Sequence, residues 1–124
     1  PLTSMQKDLR LRRSQDFSLV YTNGQSWIDG LLILKALPND GHVVNRFGFA
    51  VGRRIGNAVV RNNIKRKLRE AVRHVAVKNG WDMIFIARNR SKSASQYQIK
   101  LATLRLIKKA NLLGVYNAPE EAKT

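Results

Sequence analysis

The sequence predicts a two-layer α+β domain, and three observations carry the prediction. Residues 46–52 alternate Phe47, Phe49 and Val51 with Arg46, Gly48, Ala50 and Gly52, the period of a half-buried strand. Residues 30–37 (GLLILKAL) and 81–88 (WDMIFIAR) are short apolar runs of strand length. Between them, residues 57–75 place apolar side chains at a helical period, and weaker helical patterns stand at either end of the chain. The order helix, strands, helix, strand, helix suits helices packed on a sheet. A chain of 124 residues, 44% of them hydrophobic, supports one core and not two. One domain over residues 1–124 is expected, with flexible tails at 1–8 and 117–124. Met5 is the expected native start, preceded by four appended residues.

Taken in order, residues 7–13 (KDLRLRR) form a basic lead-in. Ser14 reads as an N-cap, Gln15 and Asp16 suit a first turn and Gly24 a stop, giving a helix over 15–23. Phe17 and Tyr21 lie at i, i+4 and so face the same way. Such a pair is usually core, yet on a helix this short Val20 can serve as the anchor and leave an aromatic face for stacking bases. Both readings stand at this level. Trp27 and Ile28 are expected to open the strand at 30–37, in which Lys35 must face solvent or a groove that accepts a cation. Pro38, Asn39, Asp40 and Gly41 make a turn, so the strands it joins should be antiparallel, with 41–45 a further candidate strand. On residues 46–52 the small-residue face allows close approach by another element. Asn79 and Gly80 are a C-cap pair for the central helix. Arg88, Arg90 and Lys92 lie in a polar loop, and Ser95 caps a helix over 96–109 with Tyr97, Leu101, Leu104 and Ile107 or Lys108 on its packed side.

The chain is organised around residues 52–73, GRRIGNAVVRNNIKRKLREAVR, which hold eight of its 23 Lys and Arg against a single acid, Glu70. At roughly 100° per residue, Val60, Ile64, Leu68, Ala71, Val72 and Val75 fall in an arc of about 120°, the width of a core-facing stripe. Arg61, Lys65, Arg69 and Arg73 follow one another at i, i+4 beside it, with Asn62 and Arg66 extending the flank. Solvated faces normally mix signs, because like charges four apart repel by a few tenths of a kcal/mol per pair. A ridge this uniform points to an anionic partner. Asn57 can cap the helix. Gly52 and Gly56 suggest a tight turn that projects Arg53 and Arg54 beside the helix N-terminus, where free N–H groups favour phosphate.

The formal net charge of +15 calls for a polyanion, nucleic acid or an anionic membrane. No apolar run approaches the roughly 20 residues of a span, so cytoplasm is the expected compartment. Absence of cysteine excludes disulfides, thiolate nucleophiles and Cys-based zinc sites together. His42 and His74 have no assignable partner, the acids are scattered, and GRRIGNAV lacks the lysine and hydroxyl residue of a nucleotide-binding loop. No metal site and no protein-bound cofactor are expected, and the polypeptide alone reads as non-catalytic.

Residues 51–71, VGRRIGNAVVRNNIKRKLREA, closely resemble the signature of the bacterial ribonuclease P protein subunit. Residues 10–27 (RLRRSQDFSLVYTNGQSW) resemble that family's first helix, and residues 82–88 (DMIFIAR) with the helix after them its last strand and helix; the likeness spans about 9–113. The resemblance implies helix, three strands, helix, strand, helix with a left-handed βαβ crossover, like domain 2 of ribosomal protein S5, against the usual hand. It implies a small partner of a large catalytic RNA that cleaves precursor tRNA at its mature 5′ end, with Mg²⁺ held by the RNA and no obligate protein partner. It carries contact with the catalytic RNA to Arg61, Asn62, Lys65, Arg66 and Arg69, with Arg73 continuing the ridge. Contact with the single-stranded 5′ leader falls to Phe17, Tyr21 and Lys35, with Arg53 and Arg54 at the edge. The chain departs from the usual Arg-Asn-Arg at Asn63, and has Lys35 where an aromatic is common. The rival reading is a ribosomal or general RNA-binding protein. A protein-only nuclease is disfavoured by the lack of a carboxylate cluster.

Overall fold

In the computed structural model, residues 10–39 and 44–114 are described. The expected tails and the turn residues Asp40, Gly41 and His42 lie outside them, as does most of the candidate strand at 41–45. The elements are α1 (Ser14–Asn23), β1 (Gln25–Ile28), β2 (Leu32–Pro38), β3 (Arg46–Ala50), α2 (Ala58–Arg73), β4 (Trp81–Ala87) and α3 (Gln96–Lys109), with a 3₁₀ turn at Asn89–Ser93.

One four-stranded sheet runs in the order β1-β2-β4-β3. Strands β1 and β2 form an antiparallel hairpin, β2 and β4 are antiparallel, and β3 lies parallel to β4. The direction expected for β2 and β3 is right, but they do not pair, because β4 enters between them. That strand reads as a continuous apolar run and is buried on both faces, as a central strand must be. The parallel pair β3 and β4 is joined by α2, which makes the βαβ unit. Trp27 and Ile28 belong to a strand of their own rather than to the start of β2. Four residues without clear alternation gave no signal; β1 exists through its pairing with β2.

The main core fills the space between one sheet face and the helices α2 and α3: Leu32, Leu34, Met83, Phe85 and Phe47 meet Ile64, Leu68, Ile99 and Leu106. On the other face α1 packs across β2 and β4, where Val20 and Leu11 close over Ile84. The predicted stripe of α2 is the observed one: Ile64, Leu68, Ala71 and Val72 are buried, and Val60 and Val75 pack against the same core. Asn57 caps that helix, its side chain accepting from the Val60 N–H at 3.0 Å. The helix ends at Arg73 rather than near Asn79. Val77 then bridges to Leu113, and Gly80, at φ 90°, turns the chain into β4.

Two further expectations are corrected. Arg13, not Ser14, is the N-cap of α1, with no side-chain hydrogen bond. On α3 the packed stripe is Ile99, Ala102, Thr103, Leu106 and Ile107; Ile107 is buried as expected, Leu101 and Leu104 are half-buried, and Tyr97 is 67% exposed. The helix carries two apolar stripes, and the position of α2 and β2 decides which is covered. Ser95 does cap α3, in a reciprocal box with Gln98.

Candidate nucleic-acid interface

Register fixes which side chains share the α1 face of the sheet. Residues directly paired point the same way, so Ile28, Ile33, Lys35, Ile84, Ile86, Gly48 and Ala50 all look toward α1. The helix covers Ile84 and leaves Ile33, Lys35, Ala50 and Ile86 partly exposed beside it as the floor of an open cleft. Its wall is Phe17 and Tyr21, with ring centroids 6.4 Å apart and planes tilted by 33°. Phe17 is half-buried, its ring lying where a Cβ on Gly48 would come within 2.7 Å of it. Close approach to the small-residue face of β3 is thus used by Phe17. Tyr21 is 40% exposed, and desolvation holds its phenol above the usual range. Lys35 is half-buried on the floor, and Ile28, 57% exposed, forms the rim. Phe17 packs against β3, and Tyr21 presents a ring to solvent.

The helix is held in place by a charged chain that the sequence did not reveal. Asp82 accepts from Arg46 Nε at 2.9 Å and Nη2 at 2.7 Å, and from Asn39 Nδ2 at 2.9 Å. The same guanidinium stands 3.7 Å from Asp16 in the first turn of α1. Its pKa is raised, chiefly by the hydrogen bond to Asp82. One arginine therefore ties α1 to β3 and β4, and the spacing of 16, 46 and 82 in the sequence offers no hint of it.

Beyond β3, Ile55 is buried and plugs the turn while Arg53 and Arg54 stand exposed beside it. Gly56 is required by proximity, since a Cβ there would meet the Val60 side chain at 2.7 Å; Gly52 meets nothing within 4 Å. The cationic flank of α2 follows. Arg61 donates from Nε to the Gly56 carbonyl at 3.1 Å, Asn62 is exposed and Lys65 half-buried. Asn63, standing where the motif's second arginine is usual, accepts a hydrogen bond from Arg66 and orients it. Arg69 has its pKa lowered first by burial, then by Arg10 and Arg66. Arg10 bridges to Phe47 at the outer edge of β3, so the basic lead-in adds a cation to the ridge. Arg73 meets Glu70 at 2.8 Å, and the same carboxylate meets His74 at 2.8 Å. His74, incidental by sequence, therefore has a partner. Lys67 lies on the opposite flank and donates to the Ala94 carbonyl at 2.9 Å, so it fastens the 3₁₀ turn rather than the ridge.

The arrangement sets two surfaces on one sheet: an aromatic and cationic cleft under α1, and a cationic ridge along α2. Each described acid is already engaged, Asp16 and Asp82 by Arg46, Asp29 by Arg105, and Glu70 by Arg73 and His74. Among the described residues no three metal-ligating side chains converge, and no helix is long and apolar enough to cross a membrane.

A small α+β protein with so uniform a cationic helix belongs to the class that meets polyanions. Residues 5–111 match the sequence model of the family described as Ribonuclease P. The ribonuclease P protein component of Alkaliphilus oremlandii is 43% identical over 106 residues, covering 84% of this chain and 92% of that one. That of Dehalococcoides mccartyi is 35% identical over 119 residues, covering 96% and 98%. Among solved structures, the RNase P protein of Staphylococcus aureus superposes with a TM-score of 0.77 at 29% identity, over 86% of this chain and 98% of that one. The Thermotoga maritima RNase P protein gives 0.74 at 28%, over 81% and 96%. The chain belongs to the ribonuclease P family. Membership implies a part in tRNA 5′ processing and an RNA partner in the assembled enzyme.

Proposed function

We propose that this protein is the non-catalytic subunit of a ribonucleoprotein that removes the 5′ leader from precursor tRNA. The α2 ridge (Arg61, Asn62, Lys65, Arg66, Arg69 and Arg73) holds the catalytic RNA. The cleft of Phe17, Tyr21 and Lys35, edged by Arg53 and Arg54, takes the single-stranded leader. The observation that carries this reading is the crowding of Arg10 and Arg66 around Arg69, whose pKa is lowered first by burial and then by repulsion from these two guanidiniums. Phosphates between these guanidiniums would remove the repulsion and form charge-assisted hydrogen bonds.

Stacking on an exposed ring accepts any base, at roughly 1–3 kcal/mol per base. That tolerance suits leaders of variable sequence. A ridge that reads backbone shape suits a folded RNA. Mg²⁺, held by the RNA, supplies the chemistry of hydrolysis; among the described residues the carboxylates of Asp16, Asp29, Glu70 and Asp82 are committed to arginine and histidine. What this chain contributes is affinity for the leader and screening of phosphate repulsion, so the RNA works at lower Mg²⁺. It needs no obligate protein partner, and its place is the cytoplasm.

Reconstitution with a bacterial catalytic RNA tests the reading. At low Mg²⁺ the protein should stimulate cleavage of precursor tRNA, and Arg66→Ala should lower the salt slope of assembly by about 0.7–0.9, one phosphate contact. Binding to RNA without any stimulation of cleavage would make the chain a general RNA-binding protein instead.

A further inference from the structure

Four cations converge on the β1–β2 turn, away from both surfaces above. Arg105 grips Asp29 with Nε at 2.8 Å and Nη2 at 3.2 Å. Arg88 donates to the Asp29 carbonyl at 2.9 Å, and Lys109 to that of Ile28 at 3.0 Å. The Arg90 guanidinium lies over Gly30, 3.7 Å from where a Cβ would stand. Between the turn, the 3₁₀ turn at Asn89–Ser93 and α3 runs an open groove of about 590 Å³, lined also by Ser93, Gln98 and Leu101.

Among the described residues one carboxylate, Asp29, faces this cluster, and both its oxygens are used. Oδ2 accepts from Arg105, while Oδ1 accepts from Arg105 and from the Leu31 N–H at 3.2 Å. Arg90 and Lys92 are exposed and pair with no carboxylate among the described residues. The groove is therefore net positive, with polar donors along its walls and Leu101 beneath.

The groove lies on the α3 side of the sheet, and topology brings its mouth to the same end of the sheet as Arg53 and Arg54 at the edge of the leader cleft. Leu32 pairs with Ala87, and Ala50 with Ile86, so the start of β2 and the ends of β4 and β3 lie at one end of the sheet. Arg53 and Arg54 leave β3 there, and Arg88 and Arg90 leave β4. With strands about 4.8 Å apart, the rim from β3 to the β1–β2 turn spans about 10 Å. Along it cations recur and the one carboxylate is neutralised.

We propose that this groove binds the phosphodiester backbone of leader nucleotides lying beyond those in the Phe17 and Tyr21 cleft, with Arg90 as its principal contact. The inference rests on the leader-binding reading of that cleft. A chain leaving the cleft over the end of the sheet passes Arg53 and Arg54, meets Arg88 and Arg90, and enters the groove with its phosphates toward the guanidiniums. Backbone contacts of this kind add affinity and salt dependence without sequence preference.

The test uses the assembled enzyme and two precursor tRNAs, one with a leader only long enough to fill the cleft and one with a longer leader. Arg90→Ala should weaken binding of the long-leader precursor by roughly fivefold, the effect of one exposed charged contact, and lower its salt slope by about 0.7. The short-leader precursor should bind as before, and Arg90→Lys should restore most of the loss. Equal loss on both precursors would assign Arg90 to the catalytic RNA and overturn the proposal. So would no loss on either. If the unsubstituted enzyme binds leader-bearing and mature tRNA alike, the cleft reading itself falls.

Discussion

Gly48 decides where Phe17 can sit. Its backbone needs no glycine for its φ, so a side chain there acts only through space, and the first atom it adds would meet the Phe17 ring at 2.7 Å. Gly48→Val should therefore lift the ring from β3, destabilising the fold by about 1–3 kcal/mol and misplacing the wall of the cleft. Thermal unfolding checks the first effect. Binding of precursor against mature tRNA checks the second, with loss expected for the precursor alone. The alternation in residues 46–52 made this contact readable in outline: a face of small residues invites close approach. It did not say which element would come. Asn63 shows the opposite case, because its value lies in the Arg66 hydrogen bond, and a missing cation in the motif looks from the sequence like a simple loss.

Among elements, the orientation of α2 was legible because the period, the Asn57 cap and the charge segregation agree on one face. The end of the helix was not, since Gly80 is a good stop that serves β4 instead. α3 was misread by one stripe, for its two apolar faces differ little in composition and only packing against α2 and β2 chooses between them. β1 has no local signal at all. What fastens it is the Asp29–Arg105 pair, which joins the β1–β2 turn to α3. The Asp29 carboxyl lies below its usual range, first because of its hydrogen bond to Arg105. A depressed carboxyl stabilises the fold above its unfolded pKa, about 3.9, and loses that contribution as pH falls through the folded value. Arg105 is largely exposed, so the pair is worth about 0.5 kcal/mol. Melting curves should place the wild type slightly above Asp29→Asn at neutral pH, begin to converge below about pH 4, and meet only once pH has fallen below the lowered Asp29 pKa. A constant difference down to pH 2 would assign the stabilisation to something other than the ionised pair.

At the scale of the molecule, the sheet separates the two surfaces proposed to meet RNA. α1 and the cleft lie on one face, while α2 and its ridge lie on the other, and the cores beneath them are distinct clusters. Phe17 touches β3 through Gly48, whereas Arg66 touches Asn63 on its own helix, so the two share no partner. Substitutions at such sites act independently, adding within about 0.3–0.5 kcal/mol. Phe17→Ala should cost about 1–3 kcal/mol in leader binding, and Arg66→Ala about 1 kcal/mol in assembly. In the double variant, kcat/KM for precursor measured at limiting protein should fall by the product of the two single effects. A coupling above about 1 kcal/mol would mean that occupying the ridge moves the cleft. At the cleft end any such movement would meet Arg46, which ties α1 to β4 through Asp16 and Asp82, so adding Arg46→Ala should reduce any coupling found.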